Sequence, residues 1–191
     1  MTEQPTIVDV QPLYQGWGRY LKVTLSQGGQ TFGRELEDHG SGVAVLPYDP
    51  VRRVALLVRQ TRVGPLVLKD AAPALLEIPA GLLDHPGEPP EAAARREVLE
   101  EIGVRLNSLE PLGEAYSSPG CTTESIHLFL AAFEGVDRVA EGGGLAEEHE
   151  GFEVVEIALP DLLADALAGR LRDMTTLAMV LMLHATRPEL F

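Results

Sequence analysis

Short apolar runs separated by polar turns occupy most of the chain. Runs of this length, with alternating or continuous apolar positions, predict β-strands. Eight of them are found, at residues 20–25, 31–36, 43–47, 54–59, 75–78, 112–116, 126–133 and 152–157. Between the first two runs, the paired glycines Gly28 and Gly29 permit the positive φ of a tight turn and predict an N-terminal hairpin. The pattern therefore predicts a protein rich in β-sheet.

Three segments change to the helical period, at residues 91–102, 160–168 and 175–184. The first has the clearest ends, because Pro90 suits a first helical turn and Gly103 suits a left-handed C-terminal cap. The last segment is apolar on most faces, so it is expected to pack on the body of the protein. No repeat or long linker divides the chain. We therefore predict a mixed α/β (α+β) fold.

Composition and charge limit the classes of partner. The chain has 191 residues, of which 45% are hydrophobic, enough for the core of one ordinary domain. Its net charge of -14 argues against nucleic acid and against an anionic membrane surface. The basic residues are mostly arginine, whose planar guanidinium suits phosphate. A phosphate-bearing ligand would therefore need metal cations or a local arginine cluster.

Other features favour a cytoplasmic protein that does not span a membrane. The single cysteine, Cys121, excludes an intrachain disulfide and fits a reducing compartment. The apolar run at residues 177–183 is far shorter than the ~20 residues that span a bilayer, and residues 1–8 do not resemble a signal peptide. The five histidines are dispersed without the spacing of zinc ligands.

The predicted helix at 91–102 carries a cluster of like charges. Glu97, Glu100 and Glu101 stand at i, i+3 and i+4, so all three project from one side of the helix. Such pairs destabilise a helix by roughly 0.2–0.5 kcal/mol each. The helix dipole also disfavours negative charge in the last turn. The opposite side carries an apolar stripe, made of Ala94, Val98 and Ile102.

Two interpretations of this cluster remain open. It is either a solvated acidic face, the common role of a charge run, or a site for a hard divalent cation such as Mg²⁺, Mn²⁺ or Ca²⁺. A glycine-rich loop leads into the helix, and Arg95 and Arg96 precede the glutamates. These neighbours favour a site for phosphate together with metal.

The spacing of these residues resembles the signature of the Nudix hydrolases. Gly81 is followed by six residues, Glu88, seven more residues and then the run Arg96-Glu97-Val98-Leu99-Glu100-Glu101-Ile102-Gly103-Val104. The family has five residues between its glycine and first glutamate, so this loop carries one extra residue. The second half matches at every specified position.

The flanking segments resemble the ADP-ribose and nucleoside-diphosphate-sugar pyrophosphatase branch. Residues 76–81, together with Ser118-Pro119-Gly120 and Glu124, carry this similarity. Residues 59–62, the run that ends at His127 and Gly142-Gly143-Gly144 look nearest to GDP-mannose hydrolases. The resemblance implies a Nudix fold, a mixed β-sheet sandwiched between helices. It also implies an N-terminal β extension at residues 1–40, for dimerisation or substrate contact, and a Nudix domain at 41–191.

The resemblance assigns chemical roles. Glu97 and Glu101 would be the principal metal ligands, with Glu100 alongside and the backbone carbonyl of Ala80 as a further donor. The cofactor would be Mg²⁺, with Mn²⁺ as an alternative. Arg96 would orient the glutamates, although a plain i, i+4 ion pair with Glu100 is the alternative.

The general base is expected in the acidic loop after Gly142-Gly143-Gly144. Matching the family's Glu-x-Glu there makes Glu148 the base and Glu150 an additional metal ligand. A slip of one residue would move the base to Glu147, and each of these glutamates could instead be a solvated loop charge.

Six residues are expected to contact substrate: Trp17, Arg34, Glu35, Arg62, Gly81 and Glu124. The two arginines offer paired donors to phosphate oxygens. Trp17 would either stack on a base, within one subunit or across a dimer, or pin the N-terminal hairpin to the body. Glu124 would accept hydrogen bonds from sugar or base hydroxyls, or would be a solvent-facing glutamate at a strand end.

The expected reaction is hydrolysis of a nucleoside diphosphate sugar, of the ADP-ribose or GDP-mannose type, to a nucleoside monophosphate and a sugar phosphate. GDP-mannose hydrolases have a lysine after the Arg-Asp that here is Arg172-Asp173, but this chain has Met174. ADP-ribose therefore stays open as a substrate. A non-catalytic Nudix domain that senses a nucleotide sugar is the alternative function. The family also implies a homodimer.

Overall fold

The structure is a computed structural model and describes residues 3–144, 151 and 153–191. It divides into two compact units. The first contains Met1–Ser41 and Ala115–Ile126, and the second contains Gly42–Glu114 and His127–Phe191. The first unit thus combines the N-terminal segment with a later one. The functional division at residues 40 and 41 stays a prediction.

The first unit is built on a three-stranded antiparallel sheet in the order β1-β2-β3. Its strands are β1 (Thr6–Gln15), β2 (Arg19–Gln27) and β3 (Gln30–Asp38). Gly28 and Gly29 have positive φ and form the predicted turn between β2 and β3. The sequence did not predict β1, because every residue of this strand is exposed and its pattern carries no buried face.

The second unit contains most of a seven-stranded sheet with the central order β10-β5-β4-β9-β8, in which β6 pairs with β5 and β7 pairs with β4. The strands are β4 (Gly42–Asp49), β5 (Val54–Thr61), β6 (Ala74–Glu77), β7 (Ala80–Leu82), β8 (Glu110–Tyr116), β9 (Ser125–Ala132) and β10 (Glu153–Ala158). The three-residue strand β7 lies where the sequence predicted a loop. It forms because its backbone pairs with the buried strand β4.

The described residues form four α-helices: α1 (Val63–Val67), α2 (Pro90–Ile102), α3 (Leu159–Leu167) and α4 (Met174–Thr186). The last three confirm the helices predicted from the sequence. The short helix α1 was not predicted, since it has no buried residue and so no apolar stripe. No helix among the described residues is long and apolar enough to cross a membrane.

The sheet of the second unit is covered on both faces, which explains why all eight residues of β4 are buried. Ala94, Val98 and Ile102 of α2 are fully buried and join one core cluster with Val43 and Val45 of β4. Because side chains alternate along a strand, Ala44 and Leu46 point to the other face, and both are also fully buried. Helix α4 contacts this strand as well. The predicted mixed α+β fold, with helices packed on a sheet, is confirmed.

Candidate active site

Arg96 lies among the carboxylates of α2. Its Nη1 atom is 2.6 Å from Glu97 Oε1 and 3.4 Å from Glu100 Oε2, and its Nη2 atom is 3.0 Å from Glu88 Oε2. The hydrogen bond to Glu88 is the main cause that raises the pKa of Arg96, and Glu97 adds to it against the cost of burial. The like-charge repulsion expected within this helix is therefore offset by an internal cation.

Glu88 is the strongest partner of Arg96. Two hydrogen bonds join them, from Arg96 Nε at 3.2 Å and from Nη2 at 3.0 Å. This hydrogen bonding lowers the pKa of Glu88. The extra residue in the loop after Gly81 is thus accommodated without moving Glu88 away from α2. The predicted i, i+4 pair between Arg96 and Glu100 is also present at 3.4 Å, and a fourth carboxylate, that of Asp84, lies 3.9 Å from Arg96 Nη2.

Strand β7 brings two backbone positions to the glutamates. The Ala80 N–H donates to Glu101 Oε2 at 3.3 Å. A Cβ atom placed on Gly81 would lie 2.0 Å from Glu97 Cδ, so the Glu97 carboxylate fills the space that a side chain would need. Glu101 is only 3% exposed, whereas Glu97 and Glu100 are partly exposed. Glu97 and Glu101 thus pack against one short strand rather than forming a solvated face.

The donor set fits a hard divalent cation by its chemistry. Glu97, Glu100 and Glu101 supply carboxylate oxygens beside the backbone of Ala80, and such oxygens are the ligands that Mg²⁺ prefers. Among the described residues, however, no three acidic, histidine or cysteine side chains are already grouped as metal ligands. The Arg96 guanidinium donates to both Glu97 and Glu100 and places a positive charge beside them.

The C-terminal end of α2 is fastened to the segment that leads into the acidic loop. The Gly143 N–H donates to the Glu101 carbonyl at 2.8 Å, and the Gly144 N–H donates to the Glu100 carbonyl at 3.2 Å. A Cβ on Gly142 would lie 2.5 Å from the Glu101 carbonyl oxygen. The loop therefore begins at the backbone of two predicted site residues. Glu147, Glu148 and Glu150 themselves lie outside the described residues.

Arg62 is held by a buried partner that sequence analysis missed. Glu77 is 5% exposed and accepts hydrogen bonds from Arg62 Nη2 at 2.6 Å and from Gln60 Nε2 at 3.0 Å. Burial works against the charge of Arg62, but the hydrogen bonds to Glu77 outweigh it and raise the pKa of Arg62. The sequence feature that could have revealed this partner is a glutamate, Glu77, at the end of an apolar strand. Glu77 fixes a guanidinium whose side chain stays half exposed.

In the first unit, Arg34 and Glu35 line a cavity of about 380 Å³ together with Lys22 and Gly33. The Arg34 guanidinium carbon lies 4.8 Å from the centre of the Phe32 ring. The Tyr20 hydroxyl donates to Glu35 Oε2 at 2.9 Å, and this hydrogen bond raises the pKa of Tyr20. Two predicted substrate residues are therefore neighbours at a surface that carries two cations.

Trp17 and Glu124 both contact the same histidine, His39. Trp17 is 80% exposed, and its ring is stacked on that of His39 with the centroids 5.0 Å apart. The other side of His39 faces Glu124, with Nε2 3.2 Å from Oε1. Sequence analysis counted His39 only among the dispersed histidines, since nothing in its spacing shows that it lies between these residues.

The predicted site residues thus form local groups within each unit. In the second unit, the predicted metal ligands and the residue expected to orient them lie beside one predicted substrate residue, Gly81; they are Ala80, Arg96, Glu97, Glu100 and Glu101. Arg62 is held apart on its own buried partner, Glu77. The first unit holds the four remaining substrate residues in two pairs: Arg34 with Glu35, and Trp17 with Glu124.

Comparison with known proteins identifies the family. Residues 38–177 match the NUDIX domain. A GDP-mannose pyrophosphatase of Cronobacter sakazakii (strain ATCC BAA-894) is 40% identical over 77% of this chain and 75% of its own length. A protein of the same name from Escherichia coli O1:K1 / APEC is 33% identical over 94% of this chain and 95% of its own length.

A solved crystal structure of an ADP compounds hydrolase has a similar fold. It superposes with a TM-score of 0.74 over 98% of this chain and 97% of its own, at 23% sequence identity. This likeness supports the fold, while the domain match and the curated relatives establish the family. The family predicted from the spacing of Gly81 and the α2 glutamates is confirmed: the chain belongs to the NUDIX family.

Proposed function

We propose that this protein is a pyrophosphatase that hydrolyses the diphosphate linkage of a nucleoside diphosphate sugar to a nucleoside monophosphate and a sugar phosphate. The observation that carries the proposal is the cluster of Glu88, Arg96, Glu97 and Glu100 beside Ala80 and Gly81 of β7. This cluster brings carboxylates and a guanidinium together beside the backbone of β7.

The protein is an enzyme of the class predicted from its sequence, a hydrolase acting on phosphoric anhydrides. Its curated relatives are named GDP-mannose pyrophosphatase, and the solved structure of similar fold is an ADP compounds hydrolase. These names support a nucleoside diphosphate sugar as the substrate class. GDP-mannose and ADP-sugars are the first substrates to test.

In the proposed site, Glu97, Glu100 and Glu101 with the Ala80 carbonyl would hold a divalent cation, Mg²⁺ or Mn²⁺. When bound, the cation would neutralise the diphosphate and lower the pKa of a bound water. Arg96 keeps Glu97 and Glu100 in place through hydrogen bonds of 2.6 and 3.4 Å. The anchoring of Gly143 and Gly144 on the end of α2 supports a base on the following loop, where Glu148 is our candidate and Glu150 a further ligand.

The half-exposed guanidinium of Arg62 would bind the diphosphate. Its hydrogen bonds to Glu77 fix one side of the guanidinium and reduce the side-chain entropy lost when an anion binds. Arg34, beside Lys22 in the cavity of the first unit, would take a second phosphate or the terminal sugar. A homodimer and a cytoplasmic location stay predictions.

Substituting Glu101 tests the proposal. The change Glu101→Gln keeps the size of the buried side chain but removes its charge, so we expect turnover of GDP-mannose and ADP-ribose with Mg²⁺ to fall at least about a hundredfold. Nucleoside monophosphate release is measured by chromatography, and folding is checked by circular dichroism. The control is Glu91→Gln, an exposed change in the first turn of the same helix. Parent-like turnover in Glu101→Gln, or no release of monophosphate by the parent protein, would refute the proposal.

A further inference from the structure

His39 lies between two carboxylates, one at each ring nitrogen. Its Nδ1 atom is 2.7 Å from both carboxylate oxygens of Glu37, and its Nε2 atom is 3.2 Å from Glu124 Oε1. A neutral imidazole has one N–H and would leave one nitrogen lone pair facing a carboxylate. Only the doubly protonated ring donates to both. The geometry therefore selects the imidazolium form of His39.

The charges around His39 agree with this assignment. Glu37 also accepts a hydrogen bond from the Thr122 hydroxyl at 3.0 Å. The nearby Asp38 is paired with Arg19 of β2 and accepts from the Thr123 hydroxyl at 2.7 Å, so the one neighbouring cation among these groups is directed to Asp38. Burial is the largest single influence on His39 and opposes its charge, but the hydrogen bonds to Glu37 and Glu124 outweigh it and raise its pKa.

Trp17 rests directly on this cation. The indole and imidazole rings are inclined by only 24°, which is a stacked geometry. The neighbouring Gly18 packs closely against this pair, because a Cβ there would make tight contacts of 3.2 Å with His39 Cβ and 3.1 Å with Glu37 Oε1. A cation on one face of an indole attracts the ring and holds its orientation. Most of the indole nevertheless remains exposed and available for a second planar group.

We propose that charged His39 is a positioning residue, which holds the Trp17 ring for stacking on the nucleobase and the Glu124 carboxylate for hydrogen bonds to hydroxyl groups of the same nucleotide. This inference rests on the proposed function, since it assigns the base end of that substrate. His39 itself does not touch the substrate. It acts by joining an aromatic ring and a hydrogen-bond acceptor that are distant in the sequence.

The first test observes the free protein and needs no activity. Trp17 is the only tryptophan, so tryptophan emission reports on this contact alone. A stacked imidazolium quenches indole emission more than neutral imidazole does, so we expect emission to rise with pH, with a midpoint above the ordinary histidine value of 6.5. The transition should be absent in His39→Gln and retained in the control His127→Gln. In Glu124→Gln its midpoint should fall, because one carboxylate is lost.

The second test measures the substrate. His39→Gln should raise KM for the nucleoside diphosphate sugar about tenfold, in the range of one lost base–aromatic stack, while kcat changes less than about twofold. His39→Arg should restore KM, because a guanidinium is planar, permanently charged, and able to stack on indole and bind two carboxylates. In the parent protein, KM should rise as increasing pH removes the charge of His39. KM of His39→Arg should show no such rise.

Binding of GMP and AMP, measured by calorimetry, separates this inference from the proposed function. If the parent protein releases no monophosphate from any nucleotide sugar, the proposed function fails, but weaker nucleotide binding in His39→Gln and its recovery in His39→Arg would still support the positioning role. Equal affinity in the parent protein and His39→Gln would overturn the inference, whatever the activity. So would a pH transition of emission that persists without His39.

Discussion

The absence of a side chain at Gly81 determines the position of the Glu97 carboxylate. The glycine lies in β7 opposite Val43 of β4, and its missing side chain leaves the space that the Glu97 carboxylate occupies. Arg96 then holds that carboxylate at 2.6 Å. The position of one site residue thus depends on the absence of a single carbon atom in a neighbouring strand.

The substitution Gly81→Ala tests this dependence. The new Cβ would meet the end of a flexible side chain rather than backbone, so Glu97 must turn aside while the fold adjusts. We expect the melting temperature to change little and kcat to fall at least about tenfold, since a displaced ligand loses its catalytic geometry. The control Gly135→Ala adds a methyl group where no atom lies within 4 Å. Unchanged kcat in Gly81→Ala would show that the position of Glu97 is not critical.

At the scale of elements, the C-terminal end of α2 joins the glutamate cluster to the segment that leads into the acidic loop. Gly103 caps the helix with φ of 72° and accepts hydrogen bonds from the N–H groups of Val139 and Ala140. Another residue could take its place only if the backbone at Ala140 moved, because a Cβ would lie 2.1 Å from the Ala140 carbonyl oxygen. The sequence predicted this glycine as a cap, but only the packed loop explains its second role.

Two alanine substitutions separate these roles of glycine. Gly103 and Gly169 have φ of 72° and 70°, but only Gly103 has a backbone neighbour in the way. Gly169→Ala should cost about 1 kcal/mol of unfolding free energy, the usual cost of a left-handed alanine. Gly103→Ala should cost at least about 2 kcal/mol more, because the backbone at Ala140 must move. Denaturant unfolding measures both values. Equal losses of unfolding free energy in the two variants would mean that the backbone at Ala140 moves without an energetic cost.

For the molecule as a whole, the net charge of -14 is the dominant electrostatic property. Excess negative charge destabilises a compact chain by self-repulsion, and salt screens this effect. The α2 cluster is already partly neutralised by Arg96. A cation that binds the glutamates of the folded protein would add stability beyond this general screening, because it binds the folded state selectively.

Thermal unfolding in matched salts tests for such binding. At equal ionic strength, we expect millimolar MgCl₂ to raise the melting temperature above the value in NaCl, since an ion that binds the folded state stabilises it by mass action. This additional rise in melting temperature with MgCl₂ should disappear in Glu101→Gln and persist in Glu91→Gln. The readout does not depend on turnover. An identical melting temperature in both salts would argue against a magnesium site in the free protein.

The parts that the sequence predicted are those with a strong local signal. The helix α2 was found from its apolar period, Pro90 and Gly103, and the glutamate cluster followed from helix geometry. The hairpin of β2 and β3 followed from Gly28 and Gly29. By contrast, β1 and α1 bury no residue, and β7 has only three residues, so none of them leaves a periodic pattern. Their positions are set by pairing and packing rather than by local preference.

The sequence by itself determined the family, the fold class and the residue types of the candidate site, because helix spacing and turn chemistry are local properties. Only the tertiary structure decided which groups meet: Arg96 with Glu88, Arg62 with the buried Glu77, and His39 between Glu37 and Glu124. These contacts join residues on different elements or in loops that fold back. Their formation depends on how strands pair and helices pack, which no periodicity along the chain records.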